Sequence, residues 1–180
     1  NSPITNIYSA YEKKEQSRLY IDYVRGLYKV LDRIKAKYPE LPMMLCSGGG
    51  GRTDYEGLKY FQEMWPSDNT DPTERLFIQW GYSQIFPTKV QCAHVTTWNK
   101  DAGIKYKVNV AMMGKLGFDI NLHDISADEL KYCKRSIQEY NSLKPAILDG
   151  DQYRLVSPYE GNHAATMYVT KDQKEAVVFA

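Results

Sequence analysis

The apolar positions of the chain fall into two alternating periods. Over 16–38, Tyr20, Tyr23, Val24, Leu27, Leu31, Ile34 and Tyr38 recur three and four apart, which predicts a helix with one buried stripe. Pro39 ends it, and the apolar run LPMMLC reads as a short buried strand. A brief helix over DYEGLKYFQ and a short strand at EMW follow. The segment 72–86 is helical again, with Leu76, Phe77, Trp80 and Ile85 as its apolar positions. KVQCAHVTT reads as a strand rich in β-branched residues, 105–116 as a helix and GFDINL as a strand. Ser126 and Glu129 then form a capping-box pattern ahead of Leu130, Cys133, Ile137 and Tyr140 at helical spacing. Strand and helix alternate four times up to about Leu143. Such alternation predicts parallel strands with crossover helices, as in a doubly wound sheet or a (β/α)8 barrel.

The tail changes period. DQYRLVSP, AATMYVT and EAVVFA are β-like, and KDQK is a hairpin turn between the last two. The expected architecture is α/β: half a barrel over residues 1–149, then the beginning of an antiparallel β-domain over 150–180. The abrupt opening NSPITNIYS and a final strand without a partner are the marks expected of a piece of a larger protein.

Composition narrows the function classes. A net charge of +1 over 180 residues, 43% of them hydrophobic, is ordinary for a globular domain with a sizeable core. Near-neutrality argues against nucleic acid as partner, because phosphate binding needs a basic face. No stretch approaches the roughly 20 apolar residues of a membrane span, and no signal-peptide pattern opens the chain, which leaves the compartment undetermined. The three cysteines, Cys46, Cys92 and Cys133, match neither a disulfide framework nor a zinc spacing. Fifteen tyrosines and three tryptophans are the unusual part of the composition; such a surplus often lines sugar or peptide sites, although core and interface use is the commoner reason.

Two stretches carry candidate chemistry. In LCSGGGGRTD, four consecutive glycines follow the first predicted strand. A phosphate loop would require Gly-Lys-Ser/Thr, yet Arg52 and Thr53 follow Gly51, and a dinucleotide fingerprint would require a different glycine spacing. A loop that brings backbone close to a ligand remains, beside a tight turn with no ligand. In WPSDNTDPTER, Asp71, Pro72 and Glu74 form a helix start of N-cap, N1 and N3 residues, so Asp71 is structural. Asp68 has no such role. It lies beside Trp65 in a strand-to-helix loop, where a general acid or an ordinary Asx-turn are both open. Cys92 and His94 share a strand face without a matching ligand pair, which favours a packed histidine, and His123 and His163 are solitary.

Taken together, CSGGGGR and SDNTD, with the distance between them, resemble the catalytic barrel of family 36 glycoside hydrolases, the microbial α-galactosidases. CAHVTTWN is similar to the family's Ala-His-Val-Ser strand, and NVAMMGKLGFDINL to its Asn-Val-Ala-Met segment. The resemblance implies the second half of a TIM barrel followed by the start of a C-terminal antiparallel β-domain. It also implies retaining hydrolysis of α-galactoside oligosaccharides by two carboxylates. The general acid/base position falls on Asp68. Cys46, Gly48 and Gly49 match positions against the bound galactose, Arg52 matches an arginine that orients a carboxylate, and Trp65 lines the pocket. The nucleophile's motif, Lys-Trp-Asp-x-Asn-Arg, aligns its asparagine with Asn1 and places the aspartate two residues upstream. Ser2 stands where the family commonly has arginine. This cycle needs no metal or organic cofactor, and members are often homo-oligomers. The same fold also serves α-N-acetylgalactosaminidases and raffinose-type transglycosylases, and a sugar-binding protein without catalysis is the alternative of another class.

Overall fold

In a computed structural model, which describes residues 12–46, 50–98 and 101–180, four short parallel strands come first. They are β1 (Met44–Leu45), β2 (Glu63–Met64), β3 (Cys92–Thr96) and β4 (Lys115–Asp119). Helix α1 (Leu19–Lys37) precedes β1, α2 (Pro72–Tyr82) connects β2 to β3, α3 (Ile104–Ala111) connects β3 to β4, and α4 (Ala127–Asp149) follows β4. Among the described residues, a 3-10 turn, Glu56–Lys59, is the one helical element between β1 and β2. The pairs β1–β2 and β3–β4 are both parallel, and a parallel bridge between Met64 and Gln91 joins them in the order of the chain. Such a run needs a crossover on each step, which the alternating sequence periods supply.

The local signals act where they stand. The Asp71 carboxylate accepts the backbone N–H groups of Thr73 and Glu74, with Pro72 in the first turn of α2. Ser126 and Glu129 close a full capping box on α4. The tail folds as β5 (Asp151–Val156), β6 (Ala165–Val169) and β7 (Ala176–Phe179), an antiparallel sheet in that order. Its second hairpin turns at KDQK, where Gln173 adopts φ 59° and Thr170 N–H donates to the Glu175 carbonyl.

One core spans both parts. Ala93 and Val95 of β3, Val108 and Ala111 of α3, Cys133, Tyr140 and Ile147 of α4 and Tyr168 of β6 are buried together. The Tyr168 hydroxyl donates to the Met113 carbonyl at 2.8 Å, which fastens the antiparallel sheet to the helical layer. A smaller cluster of Met64, Phe86 and Val90 lies beneath β2.

Three expectations about burial need correcting. The apolar stripe of α1 is not buried as a whole. Leu31 alone is fully buried, and the Tyr28 ring stacks on Tyr60, while Tyr20, Tyr23, Val24 and Tyr38 are exposed because no described element covers that half of the helix. Strand β1 is likewise an edge among the described residues, so Met44 is exposed rather than core. In α2, which ends at Tyr82, the buried face is Pro72, Arg75 and Gln79, and Ile85 is exposed beyond the helix. Gln79 donates to the Val110 carbonyl, so this face meets α3, while Phe77 turns outward and packs edge-on against Tyr159 at 5.0 Å.

Strand β4 also starts two residues earlier than GFDINL suggests, and α3 is correspondingly shorter than 105–116. Lys115 N–H pairs with the Gln91 carbonyl, and a Cβ on Gly114 would lie 2.8 Å from that same oxygen. This close passage commits the chain to the sheet before the helical pattern has run out.

Candidate active site

Parallel α/β folds bind ligands at the carboxyl ends of their strands, where the connecting loops gather. Strand β1 runs into Cys46, an exposed free thiol, and then into the glycine run. Gly48 and Gly49 lie outside the described residues. Gly50 has φ +79°, and a Cβ there would lie 2.6 Å from the Pro66 carbonyl oxygen. The loop after β1 therefore touches the loop after β2, backbone to backbone. Thr53 closes the turn by donating both its N–H and its hydroxyl to the Gly50 carbonyl, at 3.1 and 2.6 Å. Arg52 is exposed in this turn, and no ion pair joins it to Asp68.

Trp65 N–H donates to the Leu45 carbonyl at 2.9 Å, carrying the ladder of β1 and β2 one residue further. That bond sets the indole at the strand end, where its Nε1–H donates to Asp68 Oδ1 at 2.8 Å. Asp68 is exposed and accepts no backbone N–H from a described residue, so it is not the acceptor of an Asx-turn. Its neighbours carry the local geometry instead. Asn69 N–H donates to the Ser67 hydroxyl, Asp71 N–H to the Asn69 side-chain oxygen, and the hydroxyls of Thr70 and Thr96 meet at 2.8 Å. Thr96 ends β3, and its carbonyl, with that of Trp98, accepts from Lys107 Nζ. The loop is thus tied to β3 and α2, while among the described residues its first carboxylate accepts a hydrogen bond from the Trp65 indole N–H alone. A carboxylate so placed can exchange a proton with a ligand above the strand ends.

Behind Asp68 the Trp65 ring meets two further side chains. The His94 ring lies 4.7 Å from it between centroids, and the Arg75 guanidinium sits 4.7 Å from the indole centroid. On its other contact His94 covers Gly117 of β4, where a Cβ would come within 2.4 Å of the imidazole. Burial lowers the His94 pKa, and the Arg75 charge adds to the effect, so the ring stays neutral and acts as packing. Burial also pushes the Cys92 thiol up to about 11, far from a thiolate. No group of three His, Cys, Asp or Glu among the described residues is arranged to hold a metal ion.

Arg75, Lys107 and the Thr70–Thr96 pair were not legible as site residues from spacing. The available signal was Arg75 and Gln79, two polar residues four apart inside an amphipathic helix. Burial lowers the Arg75 pKa to about 10, which still leaves the guanidinium charged near neutrality.

A cavity of about 780 Å³ lies elsewhere. It lies between the helices and the antiparallel sheet, lined by residues such as Leu76, Trp80, Met112, Tyr168 and Phe179, and includes none of the strand-end residues.

Known proteins resemble this chain in sequence and in fold. Residues 1–150 match the model of the family described as Melibiase. The α-galactosidase AgaA of Geobacillus stearothermophilus is 37% identical over 175 residues, 94% of this chain and 24% of that protein. Alpha-galactosidase 1 of Pediococcus pentosaceus is 36% identical, covering 99% of this chain and 25% of its own length. The chain thus spans about a quarter of the curated relatives it matches. Among solved structures, a variant of the Geobacillus family 36 enzyme in complex with raffinose superposes with a TM-score of 0.88 at 36% identity, over 94% of this chain and 24% of that one. Another variant of that enzyme was solved with stachyose. The α-galactosidase of Lactobacillus brevis superposes with a TM-score of 0.89 at 30% identity, over 97% of this chain and 24% of its own.

Proposed function

The chain belongs to the melibiase family, glycoside hydrolase family 36, and on that footing we propose that it supplies the second half of the catalytic (β/α)8 barrel of a retaining α-galactosidase, with an antiparallel β-domain beginning after residue 149. Its substrates are oligosaccharides ending in an α-galactosyl residue, the class to which the raffinose and stachyose of the structural relatives belong. The observation that carries this reading is the position of Asp68. Its carboxylate stands at the C-terminal end of a parallel strand, accepts the Trp65 indole N–H and is not committed to a helix cap.

In the proposed cycle the protonated Asp68 gives its proton to the glycosidic oxygen as the bond to the anomeric carbon breaks. A second carboxylate attacks that carbon and forms the galactosyl-enzyme. Asp68, now ionised, takes a proton from water as the water displaces the nucleophile and releases galactose. Cys46, Gly48, Gly49 and Trp65 line the galactose, and Arg52 orients a carboxylate.

The test is Asp68→Asn in the full-length enzyme. Turnover of an aryl α-galactoside is expected to fall by about 10²–10⁴-fold, the usual contribution of general acid–base catalysis, with partial restoration by azide. Retention of full activity would overturn the assignment.

A further inference from the structure

Arg75 is 2% exposed, and its Nε, Nη1 and Nη2 find no hydrogen-bond acceptor among the described residues. A buried guanidinium without acceptors is strongly disfavoured unless another interaction compensates for its lost hydration. The compensating group here is the Trp65 ring, 4.7 Å from the guanidinium carbon. A desolvated cation gains more from an indole face than an exposed one does. Helix geometry fixes where that cation stands, since Arg75 N–H closes the first turn on the Asp71 carbonyl, one turn past the cap. The same ring donates its N–H to Asp68.

From this chain of contacts we infer that Arg75 is a positioning residue for the acid/base: its guanidinium holds the Trp65 indole in the orientation whose N–H fixes the Asp68 carboxylate. Its path to the reaction runs Arg75, Trp65, Asp68, and it touches neither substrate nor the reacting atoms. The inference rests on the reading of Asp68 as acid/base. It adds a role for a residue that spacing and charge alone would count as a buried anomaly.

A positioning role has a signature that a purely structural one lacks. Proton donation matters most when the departing oxygen is a strong base and hardly at all when it is a stabilised phenolate. A misplaced Asp68 therefore slows poor leaving groups selectively, whereas general damage to the barrel slows every substrate alike. The experiment measures kcat/KM of the full-length enzyme and its Arg75→Met variant on a series from phenyl to 2,4-dinitrophenyl α-galactoside. The expected result is a loss on the phenyl substrate about tenfold larger than on the dinitrophenyl one, a fraction of the full acid/base contribution. Trp65→Phe, which keeps a ring but removes the donor, is expected to show the same selectivity.

Arg75→Lys, which retains charge without the planar stack, is expected to show it with smaller amplitude, so the test survives if Arg75→Met fails to fold. A uniform loss across the series, or no loss, in the folded Arg75 variants would overturn the inference. Asp68→Asn measured on the same series separates the two levels. If it too shows no dependence on the leaving group, the acid/base reading has failed; if it alone shows the dependence, only the role of Arg75 has.

Discussion

Gly50 and Pro66 meet so closely that a single added carbon would not fit: a Cβ on Gly50 would stand 2.6 Å from the Pro66 carbonyl oxygen. The contact joins the glycine-rich loop after β1 to the loop that carries Trp65 and Asp68. It gives the glycine run a structural requirement at its third position, where φ is +79°, whatever the preceding glycines do for a ligand.

Gly50→Ala is accordingly expected to destabilise the protein by about 1–3 kcal/mol, from a strained backbone and a forced shift of Pro66. Activity should fall with it, because Pro66 lies between Trp65 and Asp68. Gly26→Ala in α1 is the control. A Cβ there meets nothing within 4 Å, and removing a glycine from a helix is worth up to about 1 kcal/mol. Thermal melts of the two variants should move in opposite directions; a shift of the same sign would remove the steric argument.

The two aspartates of SDNTD should separate cleanly. Asp71→Ala deletes a carboxylate that caps two N–H groups of α2, at a cost of about 0.5–2 kcal/mol. Asp68→Ala removes an exposed carboxylate and should change stability by no more than about 0.5 kcal/mol while lowering turnover by about 10²–10⁴-fold. Denaturant titration together with an activity assay on each variant reads both quantities. Equal stability losses would contradict the division of roles.

His94 and Gly117 are predicted to be coupled. In Gly117→Ala the new methyl group enters the imidazole at 2.4 Å and displaces it toward Trp65, so activity should drop. Shortening the side chain with His94→Ala makes room. The double variant should therefore lose less than the sum of the singles, with a coupling of about 0.5–3 kcal/mol in a double-mutant cycle. Simple additivity would show that the ring and the glycine act independently.

The same histidine sets a pH dependence of stability. Its folded pKa lies below the ordinary 6.5, mainly through burial, so the unfolded chain binds the proton more readily. The stability linked to neutral His94 is fully present above pH 6.5. It declines as pH falls from there through the lowered folded value. Melting temperatures followed from pH 7.5 to 5 should fall more steeply in the native protein than in His94→Gln. Parallel curves would mean that the imidazole is not held neutral by its surroundings.

Much of the molecule is written locally. Asp71 and Pro72 start α2, Ser126 and Glu129 start α4, and KDQK turns the last hairpin, because caps and turns are decided within about four residues. The alternation of periods, with CSGGGGR and SDNTD in order, is enough for the α/β class and for the family. The cap pattern marks Asp71 as structural, but for Asp68 the sequence alone leaves a general acid and an Asx-turn both open.

What only the tertiary structure decided is every relation between residues far apart in sequence. The sequence pattern assigned Leu76 and Trp80 to the inside of α2, whereas the fold buries Arg75 and Gln79. It took the α1 stripe as wholly buried, while the described neighbours cover little of it beyond Leu31. Nor could spacing show that Gly50 rests on Pro66, that Trp65 links Arg75 to Asp68, or that His94 fits over Gly117. Periodicity reports which face of an element is apolar. Which face is buried, and against what, depends on the partner surface, and that surface comes from other parts of the chain brought together only by folding.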